Sequence, residues 1–250
     1  MSKVRKLNKK VFKKTNLENW KDVSDFWISN KLSQKQDLKE FVLNKIVDVS
    51  ENNIVNILDV GCGEGWILNV LKDSSLKFNY TGIDYNSTFI DYLNEKKENA
   101  TYNFYTDDIE NPKSEILKNK YDLIINSFSL FEMPNYKKAL QNEINLLKQD
   151  GSIAILSIDP ITQLLAISID FEEFKKNISL FSQLKKGGYY RKLIDTGNGF
   201  AKQEYLGILH SMADYFKELK KYDFKMEDLD EINLLNDTVP KIYEYARFRK

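Results

Sequence analysis

Residues 57–65 read Ile57-Leu-Asp-Val-Gly-Cys-Gly-Glu-Gly65, and they join a buried strand predicted over residues 55–60 to a helix predicted from Trp66 onwards. Glycine in this turn lets the backbone bend sharply and come close to a ligand, because no Cβ stands in the way. The helix that follows offers free N–H groups in its first turn to a negatively charged group. The pattern therefore predicts a ligand-binding turn, with an ordinary tight turn as the alternative.

The elements after this turn alternate between helices and strands. Helical spacing predicts three helices, over residues 66–71, 87–97 and 136–148. Apolar runs predict four further strands, over residues 78–83, 102–106, 121–125 and 152–158. Strands that alternate with helices are typical of a parallel sheet with right-handed crossovers. The predicted fold class is therefore α/β, with a doubly wound, Rossmann-like sheet.

The alternation stops after Pro160. Residues 161–186 have helical spacing, and residues 189–209 suit a hairpin that turns at Gly197-Asn-Gly199. A helix is then predicted over residues 211–222, and the last two strands of the sheet are predicted over residues 224–229 and 243–248. We therefore expect an insertion at about residues 159–209, which would form a lid or a wall of the substrate site.

Two helices are predicted ahead of the glycine turn, over residues 18–31 and 34–49. Residues 1–15 are expected to be a mobile arm, because the first fourteen residues hold seven basic side chains and no acid. The predicted organisation is a basic arm with a helical cover over residues 1–50, followed by an α/β domain over residues 51–250 that contains the insertion.

The composition limits the chemistry that is open to the chain. Its 250 residues include one cysteine and one histidine, so an intrachain disulfide and a cysteine or histidine cluster around a metal ion are excluded. Lys and Arg total 37, as do Asp and Glu, so the formal net charge is zero. This balance argues against a protein whose whole surface binds nucleic acid or an anionic membrane. No apolar run reaches the roughly 18 residues that span a bilayer. We expect a cytoplasmic protein without a metal.

Acids stand where three of the predicted strands end. Asp59 lies just before the glycine turn, Asp84 ends the second strand nineteen residues after Gly65, and Asp108 follows the third strand. Carboxyl ends of neighbouring parallel strands meet at one edge, so these acids would line one crevice. An acid at the position of Asp84 binds ribose hydroxyls in nucleotide-binding folds. Each acid alone is also compatible with a helix N-cap or a turn residue.

The turn departs from two common phosphate-binding motifs. Trp66 stands where a dinucleotide-binding turn needs a small residue, and the Gly-Lys-Ser or Gly-Lys-Thr of a P-loop is absent. A carboxylate at Asp59 would repel a phosphate but would attract an ammonium or sulfonium group. The sequence therefore argues against an NAD-dependent enzyme and against a turn that cradles a pyrophosphate.

These stretches resemble the class I S-adenosylmethionine-dependent methyltransferases. Residues 57–65 resemble their first motif, and the later motifs are matched in order by Tyr80-Thr-Gly-Ile-Asp84, Asp107-Asp108-Ile109, Tyr121-Asp-Leu-Ile-Ile-Asn-Ser-Phe-Ser-Leu-Phe-Glu-Met-Pro134 and Leu146-Leu-Lys-Gln-Asp-Gly-Ser-Ile-Ala-Ile155. The resemblance covers about residues 55–158, and more loosely 211–249. It implies a seven-stranded mixed sheet whose last strand is antiparallel. It also implies S-adenosyl-L-methionine as cofactor and S-adenosyl-L-homocysteine as product.

The resemblance further implies which residues contact the cofactor. The methionine part would lie along the first motif, at Asp59, Gly61, Cys62, Gly63 and Glu64. Asp84 would hold the ribose hydroxyls, and Tyr85 would pack against the adenine. Asp108 and the Ile109 backbone would address the adenine edge. The fourth strand would close over the cofactor with Asn126 and Ser127.

Fewer signals point to the acceptor side. His210 is the candidate base, since imidazole titrates near neutrality, although a lone histidine is more often structural. Candidate substrate contacts are two tryptophans of the cover helix and three residues that begin the hairpin: Trp20, Trp27, Tyr189, Tyr190 and Arg191. Core packing of the aromatic rings and a solvated Arg191 are the alternatives. Cys62 lies inside the turn, so a covalent cysteine mechanism is not expected.

The function predicted from the sequence is transfer of a methyl group to a small-molecule acceptor. An oxygen atom is favoured over a nitrogen atom as the site of methylation. The Asn-Pro-Pro-aromatic signature of exocyclic-amine DNA methylation is absent after the fourth strand. Two alternatives stay open: an RNA or protein methyltransferase that docks through the basic residues 3–14, and a non-catalytic cofactor-binding protein. We expect a small molecule as partner, with neither a membrane nor a nucleic acid. The oligomeric state stays open.

Overall fold

The fold is described from a computed structural model of the chain, which covers residues 5–6, 8–29, 36–47, 54–160, 162, 188–194, 203–234 and 241–250. Its helices are α1 (Lys9–Ser29), α2 (Gln36–Val47), α3 (Trp66–Lys72), α4 (Ser87–Glu95), α5 (Ser114–Leu117), α6 (Tyr136–Leu146) and α7 (Met212–Leu219). Its strands are β1 (Arg5–Lys6), β2 (Val55–Val60), β3 (Phe78–Asp84), β4 (Tyr102–Thr106), β5 (Tyr121–Ser127), β6 (Leu147–Ile158), β7 (Gly188–Ile194), β8 (Gln203–Ile208), β9 (Lys225–Leu234) and β10 (Lys241–Arg249). Short 3-10 turns lie at Leu130–Glu132 and Lys220–Tyr222.

Seven strands form one mixed sheet in the order β4-β3-β2-β5-β6-β10-β9. β10 runs antiparallel to both of its neighbours, whereas β2 to β6 pair in parallel. Asp59 of β2 lies opposite Gly82 of β3 and Ile125 of β5. This register brings the carboxyl ends of the central strands to one edge. The predicted fold class is confirmed, including the antiparallel last strand.

Buried side chains lie on both faces of this sheet, because successive residues of a strand point to opposite faces. Ile57 of β2 belongs to one buried cluster with Val42 of α2, and Leu58, the next residue, belongs to a second cluster with Leu140 of α6. None of these four side chains is more than 2% exposed. Burial of one such aliphatic side chain stabilises a fold by about 1.5–3 kcal/mol.

The apolar patterns predicted shorter strands than those observed at one end of the sheet. β6 begins at Leu147, and α6 therefore ends before it, because the β6 backbone already pairs there with Tyr121 of β5. β9 and β10 pair from Leu234 opposite Lys241 onwards, well outside their apolar centres. Backbone pairing does not require apolar side chains, so an apolar run marks only the middle of such strands.

A second sheet has the order β1-β7-β8 and is antiparallel. Arg5 of β1 pairs with Tyr189 of β7, and Tyr189 pairs with Ile208 of β8. Both strands of the predicted hairpin are therefore observed. Its turn at residues 197–199 lies outside the described residues, as does the helix predicted over residues 161–186 apart from residue 162. The division of the chain at residue 50 stays a prediction.

The prediction of a mobile arm is wrong for residues 9–15, which form the first turns of α1. This helix begins well before the predicted residue 18, because one of its faces is buried: Phe12 and Asn16 are 1% exposed and Val23 is 3% exposed. Asn8 caps its start, since the Asn8 Oδ1 accepts a hydrogen bond from the Val11 N–H at 3.3 Å. Lysines between the buried positions obscured this spacing. Residues 1–4 and 7 lie outside the described residues.

Phe12→Ala is expected to lower the free energy of unfolding by about 3–5 kcal/mol, because it leaves a cavity where a buried ring packs. Urea denaturation of the ligand-free protein measures this change. The control is Val11→Ala, at a side chain that is 57% exposed, for which a change within about 0.5 kcal/mol is expected. Equal stability of the two variants would show that α1 does not pack on the domain.

Candidate functional site

The glycine turn lies at the edge where β2, β3 and β5 end. Its backbone is left-handed at three positions, with φ angles of 73° at Gly61, 51° at Gly63 and 81° at Gly65. The N–H groups of Gly61 and Cys62 both donate to the carbonyl oxygen of Ile83, at 2.8 and 3.0 Å. These bonds fasten the turn to the end of β3. Glycine is required because residues with a Cβ seldom adopt such φ angles.

The three glycines differ in the space around them. A Cβ on Gly61 would lie 2.6 Å from the Cβ of Ser129, and a Cβ on Gly65 would lie 2.8 Å from the Cδ2 of Leu93. Neighbouring elements therefore fill these two places. A Cβ on Gly63 would have no atom of the described residues within 4 Å. The backbone of Gly63 thus faces open space, in which a ligand can lie against it.

Asp84 links the end of β3 to this open part of the turn. Its Oδ2 accepts a hydrogen bond from the Gly63 N–H at 3.1 Å, and its Oδ1 accepts one from the Asn86 N–H at 2.8 Å. Burial raises the pKa of Asp84 to about 6, against the lowering effect of these N–H donors. Asn86 caps α4 through the Thr88 N–H. The cap role considered for Asp84 therefore belongs to Asn86.

Asp59 is a second buried carboxylate, and it accepts a hydrogen bond from the Tyr80 hydroxyl. Burial raises the pKa of Asp59 to about 7, the Tyr80 hydroxyl lowers it, and the carboxylates of Asp84 and Glu64 raise it. Within the described residues the Oδ1 of Asp59 has no hydrogen-bond partner. A buried carboxylate oxygen without a donor is costly. This part of the edge therefore favours a ligand that carries positive charge or donates hydrogen bonds.

The thiol of Cys62 lies beneath the turn, in the core. It is 2% exposed, and a Cβ on Gly82 of β3 would lie only 2.9 Å from its Sγ. Burial, followed by the charges of nearby carboxylates, raises the pKa of the thiol well above its usual value. A buried thiol of this kind is a poor nucleophile. The backbone of Cys62 therefore forms part of the turn, whereas its side chain packs in the core.

The turn after β4 holds Asp108 and Ile109. The Oδ1 of Asp108 accepts the Glu110 N–H at 3.0 Å, and its Oδ2 lies 2.5 Å from the Nζ of Lys13. Ile109 is buried, and its carbonyl oxygen accepts a hydrogen bond from the Nδ2 of Asn142 at 2.7 Å. The Asp108 carboxylate is thus partly exposed at the same edge as Asp84, whereas the Ile109 carbonyl is engaged inside the fold.

The end of β5 is tied to two helices. Asn126 is fully buried and donates from its Nδ2 to the Oε2 of Glu143 in α6 at 2.9 Å. The Oγ of Ser127 accepts a hydrogen bond from the Nε1 of Trp66 at 3.1 Å, and the Trp66 ring stacks on Phe128 with centroids 6.0 Å apart. The large ring of Trp66, the first residue of α3, therefore packs against the end of β5. The side chain of Asn126 is directed to Glu143, so the assignment of Asn126 to the cofactor stays a prediction.

Trp20 connects α1 to this edge. Its Nε1 donates to the Oε2 of Glu132 at 2.5 Å, in the turn after β5. Its ring lies 6.3 Å from that of Phe89, in the first turn of α4 after β3, and 6.1 Å from that of Trp27. Both predicted tryptophans therefore belong to a helix that crosses the carboxyl ends of the strands. Neither Phe89 nor Glu132 was among the predicted site residues, although Glu132 lies in the matched fourth-strand stretch.

His210 lies between β8 and α7, against two tyrosines. The His210 ring is centred 4.3 Å from that of Tyr136, at the start of α6, and 6.1 Å from that of Tyr215 in α7. Burial and the charges of Asp214 and Glu218 raise the pKa of Tyr136 to about 12. Tyr136 therefore stays neutral beside the imidazole at ordinary pH.

The predicted hairpin residues lie in β7, beside the strand that leads to His210. Tyr189 pairs with Ile208 of β8, and Tyr190 and Arg191 pair with the next two positions of β8, in the order Gly207 and Leu206. The contact of these three residues with substrate stays a prediction. Among the described residues, no group of three or more His, Cys, Asp or Glu side chains is arranged to hold a metal ion.

The sheet order, the glycine turn and the acid at the end of the next strand define a class I S-adenosylmethionine-dependent methyltransferase. Residues 50–212 match the model of the family described as Methyltransferase domain, and the chain belongs to this family. The match covers more than half of the chain. It confirms the resemblance, the enzyme class and S-adenosyl-L-methionine as the cofactor of the class.

Curated relatives match about half of the chain at low identity. Malonyl-acyl-carrier protein O-methyltransferases from Acetivibrio thermocellus and Bacillus anthracis are 24% identical over 142 residues and 28% identical over 130 residues. These matches cover 57% and 52% of this chain, and 49% and 47% of the relatives. The chain therefore spans about half the length of the curated relatives it matches.

Solved structures share the fold over most of the chain. Magnesium protoporphyrin IX methyltransferase from Synechocystis PCC 6803, solved with bound SAH, has a TM-score of 0.58 at 14% identity and covers 93% of this chain and 99% of its own. A SAM-dependent methyltransferase from Methanosarcina mazei has a TM-score of 0.59 at 17% identity, and covers 82% and 96%. At such identities the likeness shows the fold.

Glu143→Gln is expected to flatten the dependence of stability on pH. Burial raises the pKa of Glu143 from 4.5 to about 7. The folded protein thus keeps a proton that the unfolded chain releases, and the free energy of unfolding falls as pH rises between these values. The substituted glutamine can still accept a hydrogen bond from Asn126 but does not titrate. Relative to wild type, the variant should gain up to about 3 kcal/mol between about pH 4 and pH 8.

Urea titrations across this range measure the effect, with Glu115→Gln as the control because the Glu115 side chain is 54% exposed. Buried Asp59 and Asp84 are present in all three proteins, so their contributions cancel in the comparison. Parallel curves for wild type and Glu143→Gln would contradict the buried, proton-binding state of Glu143.

Proposed function

We propose that this methyltransferase transfers the methyl group of S-adenosyl-L-methionine to an oxygen atom of a small-molecule acceptor, and that the cofactor lies along the edge formed by the glycine turn and Asp84. The observation that carries the proposal is the bond from the Gly63 N–H to the buried Asp84 carboxylate, beside the open face of Gly63. It fixes an acceptor for hydroxyl groups next to a backbone that a ligand can approach.

The residues at this edge fit the cofactor chemically. Bound S-adenosyl-L-methionine supplies a methyl group on a positively charged sulfur atom. In this proposal Asp84 accepts hydrogen bonds from the ribose hydroxyls, and Tyr85 packs against the adenine. Asp59 and Glu64, both buried, give the methionine end a negative potential that attracts an ammonium or sulfonium group. A phosphate would be repelled there, as the sequence predicted.

The cover helix supports a small acceptor. Trp20 of α1 donates a hydrogen bond to Glu132, which holds α1 against the turn after β5, and the Trp20 ring lies 6.1 Å from that of Trp27. Methyl transfer needs the acceptor atom in line with the sulfur and water kept away. A helix across this edge would help to keep water from the reacting atoms, which favours a small molecule as the acceptor. The names of the curated relatives above support oxygen as the acceptor atom, which for this chain is part of the proposal.

The basic residues favour the same choice over a docking arm for RNA or protein. Lys13 is engaged in ion pairs within the fold, and Phe12 is buried beside it. Lys9, Lys10 and Lys14 stay exposed.

Among the described residues, no helix is long and apolar enough to span a membrane. The cytoplasmic location expected from the sequence stays a prediction.

Asp84→Asn is expected to weaken the binding of S-adenosyl-L-homocysteine about 10- to 150-fold. The change keeps the shape of the side chain but removes a charged acceptor, and hydrogen bonds to charged groups contribute about 1.5–3 kcal/mol. Isothermal titration calorimetry measures the dissociation constant. Asp91→Asn, an exposed position of α4, serves as control and should bind like wild type. Wild-type affinity of Asp84→Asn would remove Asp84 from the cofactor site.

We further propose His210 as the base that accepts the proton of the acceptor hydroxyl. His210→Ala is expected to lower the turnover number about 100-fold or more, the usual contribution of a general base. Its affinity for S-adenosyl-L-homocysteine should not change, because in this proposal His210 contacts the acceptor and not the cofactor. Tyr136→Phe keeps the ring against His210 and is the control for packing. Unchanged turnover of His210→Ala with the acceptor in hand would assign His210 a structural role.

The acceptor class is tested by methyl transfer from labelled S-adenosyl-L-methionine into fractions of cell metabolites. Label that is released as methanol by mild base marks a carboxyl ester, base-stable label marks an ether or an amine, and label in macromolecules marks RNA or protein. Base-stable label on nitrogen, or label only in macromolecules, would contradict the proposal. Tight cofactor binding with no labelled product in any fraction would favour a non-catalytic protein.

A further inference from the structure

Lys13 of α1 reaches across to the turn that follows β4. Its Nζ lies 2.5 Å from the Oδ2 of Asp108 and 2.7 Å from the Oε2 of Glu110. The Lys13 and Asp108 side chains are 32% and 36% exposed, whereas the Glu110 side chain is 5% exposed. One ammonium group therefore joins two carboxylates in a partly buried place, which is still open enough for salt to screen the attraction.

The two carboxylates are themselves held by backbone donors. The Oε1 of Glu110 accepts the N–H of Asn135, just before α6, at 2.8 Å. The Oδ1 of Asp108 accepts the Glu110 N–H at 3.0 Å. Because backbone N–H groups outside α1 hold both carboxylates, the carboxylates determine where this turn of α1 must lie.

A second attachment of α1 lies seven residues further along, at Trp20. The helical rise places it about 10 Å from Lys13 along the axis. Trp20 contacts Phe89 after β3 and donates to Glu132 after β5. The sheet order here is β4-β3-β2-β5, so α1 spans the edge from the end of β4 to the end of β5. The glycine turn after β2 lies between these attachments.

We propose that Lys13 is a positioning residue for the cofactor: its ion pairs with Asp108 and Glu110 clasp α1 across the site, and they must open for the cofactor to bind and for the product to leave. This inference rests on the proposed function, in which the cofactor lies along the glycine turn and Asp84. It adds that residence time on the enzyme is set by a lysine outside the matched motifs.

The test measures the rates of S-adenosyl-L-homocysteine binding and release by stopped-flow tryptophan fluorescence. The chain has three tryptophans, two of them on α1 and the third at the start of α3. Lys13→Met keeps the aliphatic stem and removes the charge, and it should raise the dissociation rate about tenfold or more. Salt should accelerate release from wild type and should have little effect on Lys13→Met.

Lys14→Met is the matched control, because the Lys14 side chain is 79% exposed and pairs at 3.8 Å with Glu18 on the same helix. It should release the product at the wild-type rate, and Lys13→Arg should restore most of the slow release. Glu110→Gln removes the carboxylate partner of Lys13 and should also accelerate release. This second variant keeps the proposal testable if the Lys13→Met protein fails to fold.

The outcomes separate this inference from the proposed function. If Lys13→Met and Glu110→Gln release the product at the wild-type rate while Asp84→Asn binds it poorly, the site stands and the clasp is wrong. If Asp84→Asn also binds normally, the cofactor lies elsewhere and both proposals fail. A loss of stability in Lys13→Met without any change in rates or in salt dependence would show a purely structural ion pair and would overturn the clasp.

Discussion

The carbonyl oxygen of Ile83 accepts hydrogen bonds from two consecutive N–H groups, those of Gly61 and Cys62. The rest of the site depends on this pair of hydrogen bonds. It requires the chain to leave β2 in a left-handed conformation, which glycine provides. It also brings the Gly63 N–H to the Asp84 carboxylate at the end of β3. An open backbone face and a fixed acceptor thus lie side by side, and the proposed contacts of Gly63 and Asp84 with the cofactor depend on that juxtaposition.

Burial of acids at this edge gives the site its preference for charge. Asp59 and Asp84 both have raised pKa values because burial disfavours their charged forms. A bound cation stabilises these charged forms, whereas an anion would add to their repulsion. Trp66, which is too large for a dinucleotide-binding turn, instead packs between α3 and β5 and donates to Ser127. The same residues that exclude a pyrophosphate therefore suit a sulfonium cofactor.

The sheet and the turn could be predicted because each is encoded locally, by apolar runs, by glycines at 61, 63 and 65, and by acids at strand ends. The contacts that cover the site could not. Lys13 pairs with Asp108 across 95 residues of chain, and nothing in a lysine-rich stretch marks Lys13 as a lysine that turns inward. The side chain of Asn126 likewise faces Glu143 in α6, and Cys62 packs beneath the turn. These orientations are decided by packing, which a motif does not contain.

Hydrogen–deuterium exchange with and without S-adenosyl-L-homocysteine tests most directly whether this edge holds the cofactor. If it does, the product will slow amide exchange in the glycine turn at residues 61–65, after β3 at residues 84–86, after β4 at residues 108–110, and along α1. Exchange in β9 and β10, at the far side of the sheet, will stay unchanged. Protection that is absent from residues 61–65 and 84–86, or that is confined to another part of the molecule, would contradict the account.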